Sequence, residues 1–181
     1  MKAKFFFRHL PYYVGIGLLF LLMKYLYSLS HNDHLWFLLS PVNTSIEVTT
    51  GSQGIYVASK GFMHEQLSIV IDKSCSGFNF WLLAFSLPSL STLHFYQTHW
   101  QKLGACLALA AIGYLVTVFV NTSRILIALL TLKHKEMHSI LRAAWMHEAQ
   151  GAFVYLLFLV LLYRCIYYTT IKLTKTDAYT C

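Results

Sequence analysis

Three side chains bring together the groups that acyl transfer requires: the thiol of Cys75, the guanidinium of Arg124 and the imidazole of His147. Cys75 lies in Ser74-Cys75-Ser76-Gly77, where a polar, strand-like segment ending in Ile71-Asp72 meets an apolar run beginning at Phe78. If that run is a helix, its first backbone N–H groups lack intrahelical partners and point toward the sulfur. The partial positive charge at a helix start favours thiolate over thiol. Ser76 and Gly77 are small enough to let a carbonyl approach. Read alone, these four residues also suit a small buried hydrophobe, the commonest role of a free cysteine.

Arg124 ends the polar interruption Asn121-Thr122-Ser123-Arg124, which separates an apolar run ending at Val120 from one resuming at Ile125. At a span centre an arginine costs at least ~2.5 kcal/mol, less at the boundary, so it faces protein or water rather than lipid. The plainer role is a snorkelling arginine that fixes the height of a helix. Asn121, three residues earlier, shares its helix face and is placed to hold the guanidinium or line the same pocket. His147 is one of nine histidines and by itself reads as solvated or structural. Its context adds Glu148 beside it and Gly151 one turn later, where a neighbouring helix or substrate backbone can come close. His134 and His138 have the i, i+4 spacing of a metal pair, but no third ligand is evident, although His147 or His64 is a conceivable one. A solvated face accounts for them better, so neither a metal nor a cofactor is assigned.

The elements that must carry these groups are membrane helices. Of 181 residues 57% are hydrophobic and 12% charged, far fewer than the quarter of charged residues usual in soluble domains. The net charge of +7 comes from basic residues flanking apolar spans, which are topology signals and not a nucleic-acid surface. Cys75, Cys106, Cys165 and Cys181 are scattered without a C-x-x-C, which argues against a zinc site or dithiol centre. The expected fold is an all-α integral membrane protein forming one membrane domain over residues 1–181. It would have about four spans, near residues 10–29, 78–96, 103–131 and 148–170, with Pro88 kinking the second and Ser86 or other nearby groups helping to satisfy the freed carbonyl.

Between the first two spans, residues 31–74 read as a small extracytoplasmic β-like insertion, with strands at Ser45 to Thr50, Ile55 to Ala58 and Leu67 to Asp72. Basic residues at the span ends lean toward the side of the N-terminus, which places both termini in the cytoplasm. In that topology Cys75, Arg124 and His147 come to one level at the outer boundary, delivered by three different helices.

The ordered set of Cys75-Ser76-Gly77, Asn121-Thr-Ser-Arg124 and His147-Glu-Ala-Gln-Gly151 resembles the exosortase/archaeosortase family of membrane cysteine transpeptidases. The likeness covers roughly residues 65 to 160, and larger members of the family have additional spans. It implies Cys75 as nucleophile, His147 as acid and base, and Arg124 as stabiliser of thiolate or oxyanion, with Ser76, Gly77, Asn121 and Gly151 in support. It also implies exported protein substrates with a C-terminal motif, hydrophobic span and basic tail, and water or an amine on a lipid or glycan as acyl acceptor. The site would face the extracytoplasmic side of the cell inner membrane. Two other classes remain: a non-catalytic assembly or export factor in which Arg124 and Asn121 hold helices together, and a quinone-linked thiol oxidoreductase, which would need paired outer cysteines.

Overall fold

The structure is a computed structural model that describes the backbone of residues 2–134 and 140–177 and the side chains of residues 9–131 and 149–172. Its elements run in the order α1 (Lys2–Leu29), α2 (Trp36–Thr50), β1 (Ile55–Val57), β2 (Gly61–His64), β3 (Ile69–Ile71), α3 (Phe78–Thr92), α4 (His99–His134) and α5 (Ile140–Asp177), with short 3-10 turns between several of them. Three helical stretches are long and apolar enough to cross a membrane: His9–Leu29, His99–Thr131 and Ala149–Lys172. Leu18, Leu21, Leu22 and Leu26 of α1 stay exposed, as side chains do when lipid is the solvent.

The stretch expected as a second span is shorter than that. α3 has 15 residues, about 22 Å at helical rise, against a hydrocarbon core of about 30 Å. It gives way to a 3-10 turn at Leu93–Phe95 after a serine- and threonine-rich end, where Thr92 Oγ1 donates to the Pro88 carbonyl at 2.8 Å. Among the described residues the buried Ser86 hydroxyl has no hydrogen-bond partner, so the support expected from Ser86 or other nearby groups does not come from Ser86. By contrast, the polar interruption at Asn121 to Arg124 leaves α4 unbroken over 36 residues.

The insertion is only partly β. Ser45 to Thr50, expected as a strand, forms the last turns of α2. Its hydroxyls fold back along the helix: Thr44, Ser45, Thr49 and Thr50 donate to carbonyls four residues earlier. Leu38, Leu39, Val42 and Ile46 are wholly buried at helical spacing, each contributing about 1.5–3 kcal/mol by burial. Three antiparallel strands follow in the order β1-β2-β3, with Tyr56 opposite Phe62 and Met63 opposite Val70. The central strand, at Gly61–His64, was not expected from the sequence.

Two compact units result. One comprises residues 1–28, 79–114 and 159–181; the other comprises residues 29–78 and 115–158. In the first, the Trp81 indole donates to the Ala110 carbonyl at 3.0 Å, and Gly113 lies against Ala84, so α3 and the first half of α4 pack closely. Lys24 reaches Asn79 at 2.6 Å, and Lys102 lies 4.3 Å above the Tyr12 ring. In the second, Trp36, Tyr56 and Phe62 form an aromatic cluster over the sheet.

Beneath that sheet sits a closed polar network. His64 is buried, with Nε2 donating to Asn43 Oδ1 at 2.8 Å and Nδ1 at 3.0 Å from the Ser52 hydroxyl. Because an amide oxygen only accepts, the neutral ring carries its proton on Nε2 and receives one from Ser52. Burial pushes the His64 pKa below its usual value, opposed in part by the charge of Glu47. The Glu47 carboxylate is held below its own usual value chiefly by the Gly54 N–H, which it accepts at 2.8 Å, and next by Asn43.

Candidate active site

The segment carrying Cys75 is a single 3-10 turn, Lys73–Cys75, fixed from three directions. Asp72 caps it, accepting from the Ser74 N–H at 2.9 Å and the Ser74 hydroxyl at 2.6 Å. From the start of the unit, Asn32 Oδ1 accepts the Lys73 N–H at 2.8 Å, and the Lys73 ammonium donates to the Ser30 carbonyl at 2.8 Å. From α4, Asn121 Nδ2 donates to the carbonyl of Cys75 itself. The thiol is half-buried and the Ser74 hydroxyl lies 3.8 Å from the sulfur.

Ser76 and Gly77 serve the turn into α3. Ser76 is fully buried and its hydroxyl accepts the Phe78 N–H at 3.3 Å. Gly77 has φ +71°, and a β-carbon there would sit 2.9 Å from Thr117 Cγ2 and 3.4 Å from Asn121. Glycine alone meets both demands, left-handed backbone and contact with α4. The small residues beside the cysteine therefore let the turn lie directly on α4.

Asn121 is the hinge of the arrangement. Fully buried, it gives its amide N–H to Cys75 and receives the Tyr155 hydroxyl on Oδ1 at 2.7 Å, which joins the turn, α4 and α5 in one chain of hydrogen bonds. Arg124, one turn further along α4, lies over the Tyr155 ring with its guanidinium carbon 5.0 Å from the centroid. A β-carbon on Gly151 would come within 3.1 Å of Arg124 Cδ, so the missing side chain on α5 is the slot in which the arginine runs. Arg124 Nε is buried and has no hydrogen-bond partner among the described residues.

Cys75 and Arg124 line one cavity of about 180 Å³, whose other walls are the three residues of β3 together with Ile125, Ala128 and Leu129 of α4. A thiol and a fixed cation thus share a mostly apolar chamber, the setting in which a charge acts most strongly on a developing anion. His147 belongs to α5 four residues before Gly151, and hence on the same helical face, but its side chain lies outside the described residues, as do those of His134, Glu148 and His138. Among the described residues, no three histidine, cysteine or acidic side chains gather as metal ligands.

Tyr155 is the neighbour of Asn121 and Arg124 that the sequence reading missed. Its place at i+4 from Gly151, itself i+4 from His147, was the available signal, obscured because an aromatic residue in an apolar run reads as lipid-facing.

Fold and site together define a multi-pass membrane protein with a cysteine and an arginine at a shared cavity. Residues 46–164 match the transmembrane exosortase family (EpsH), and the chain belongs to that family. The family is one of cysteine transpeptidases that process sorting signals, and its substrates carry those signals at their C-termini. No curated protein and no solved structure matches the chain.

Proposed function

We propose that this protein cleaves the C-terminal sorting signals of exported proteins at the outer boundary of the cell inner membrane, with Cys75 as nucleophile. The observation that carries this reading is the cavity shared by Cys75 and Arg124, beside which Arg124 Nε is buried without a partner among the described residues. An unmet buried donor costs about 1–3 kcal/mol, and a substrate oxygen would satisfy it.

In the reaction, His147 takes the thiol proton and Cys75 sulfur attacks the scissile carbonyl, forming a C–S bond while the carbonyl electron pair moves to oxygen. Arg124 stabilises that oxyanion. Collapse breaks the C–N bond, and the imidazolium returns its proton to the departing amine, leaving a thioester on Cys75. Water or an amine on a lipid or glycan then displaces the sulfur, giving up a proton through His147. Ser76, Gly77, Asn121 and Gly151 act by holding the turn and the arginine in place.

The test is mass spectrometry of the C-termini of exported proteins in the host, comparing wild type with Cys75→Ala at equal expression. Proteins with C-terminal hydrophobic spans and basic tails should remain uncleaved only in the variant, and the wild-type termini then identify motif and acceptor. Unchanged termini would remove the cysteine from the mechanism and leave a scaffold in which Arg124 and Asn121 hold helices together.

A further inference from the structure

The sheet has two edges, and they are treated differently. At β1, Tyr56 of the strand donates its hydroxyl to Asp33, and Asn32 Nδ2 donates to the Ala58 carbonyl at 3.4 Å, so this edge is tied to the segment before α2. At β3 the pairing with β2 uses one side of the strand, and no further strand lies on its other side among the described residues. An unpaired edge is normally guarded by charge or proline, yet β3 reads Ile69-Val70-Ile71. All three of its residues line the cavity that holds Cys75 and Arg124.

We propose that the substrate segment entering this cavity adds to the sheet as an extended strand on the free edge of β3, which sets the register that brings one carbonyl to the Cys75 sulfur. The proposal rests on the processing activity inferred above and specifies how its substrate is read. Three residues of β3 span about 10 Å, enough to register three residues of a partner strand. The chain then turns through Asp72 to Cys75, so a peptide continuing past Ile71 arrives at the thiol. Main-chain pairing would hold any sequence, while alternate side chains would enter the apolar wall formed by Ile125, Ala128 and Leu129. The substrate is therefore an unfolded, strand-competent segment beside its membrane span, and not a helical one.

The experiment takes one exported protein whose cleavage depends on Cys75 and replaces each of four residues on either side of the scissile bond singly with proline and, separately, with alanine. Proline removes the N–H and alanine keeps it. Pairing predicts cleavage at least about tenfold lower for proline than alanine at every second position on one side of the bond. Proline sensitivity at consecutive positions, or none where alanine is tolerated, would overturn the pairing while leaving the protease intact. The enzyme side is read by Val70→Cys in a Cys75→Ala background, with single cysteines along the substrate. Val70 is 44% exposed, so mild oxidation should give disulfide cross-links at alternating substrate positions, and their absence with both proteins in the membrane would also overturn it. Had Cys75 proved dispensable at the outset, the activity itself would fall, and this proposal with it.

Discussion

The cluster of Asn43, Ser52 and His64 and the cluster of Cys75, Asn121 and Arg124 belong to the same unit and use similar polar groups, but they differ in what is left over. Both His64 nitrogens are matched and the ring is buried, so among the described residues the network holds no unmet donor. Around Cys75 the amide of Asn121 is matched on both its nitrogen and its oxygen, whereas Cys75 lines a cavity and Arg124 Nε has no partner among the described residues. A histidine beside a serine looks catalytic on paper, yet here it is the cement of the fold. Chemistry is better sought where rigid, satisfied groups hold an unsatisfied one against open space.

That contrast can be broken by substitution, most strongly at the open cluster. Cys75→Ala and Arg124→Ala should each lower processing by about a thousandfold or more, with normal insertion and accumulation by immunoblot. Normal processing in either would erase the distinction between the clusters. His147→Ala should cost about a hundredfold, the usual scale of general acid–base help, read in the same assay.

Tyr155 separates positioning from packing. Tyr155→Phe keeps the ring under Arg124 but leaves Asn121 Oδ1 without its donor, and should slow processing about tenfold. Tyr155→Leu removes both supports and should slow it further. Equal rates in the two variants would show that the hydroxyl alone matters there and the ring under Arg124 does not.

The closed cluster should answer in stability instead. His64→Ala orphans Asn43 and Ser52 and should cost about 2–3 kcal/mol in detergent unfolding, with the rate per folded molecule unchanged. The effect of pH is smaller and has a definite sign. A histidine with depressed folded pKa contributes fully above its unfolded value near 6.5, and that contribution is lost as pH falls below it toward the folded pKa. The depressed Glu47 carboxylate adds a second loss below about pH 4.5. Thermal midpoints between pH 7.5 and 5 should therefore fall more steeply in wild type than in His64→Gln.

How legible all this was in the sequence depends on the range of the interaction. Cys75, Asn121, Arg124 and Gly151 stood out because polar or very small residues in apolar runs need a reason. The match of residues 46–164 to the exosortase family confirms the resemblance on which their roles were read, while the roles themselves stay a proposal. Ser45 to Thr50 is helical although its hydroxyl and β-branched residues favour strands locally, because the burial of Leu38 to Ile46 on one helical face overrides that preference. α3 is too short to count as a span by length, since the apolar run reaching Tyr96 ends its helix early, behind Pro88. The His64 network joins residues 12 and 21 positions apart, a closeness that no local pattern announces.

α4 carries one more implication. Its 36 residues measure about 54 Å, well beyond a hydrocarbon core of about 30 Å, and Arg124 lies 25 residues, about 38 Å, from His99. Asn121 ties Cys75 to the same rod, so thiol and guanidinium rise and sink together. For the mechanism proposed above, the thickness of the surrounding lipid is therefore expected to act as a setting: longer acyl chains should draw the Cys75–Arg124 pair toward the hydrocarbon, and shorter ones should lift it into water.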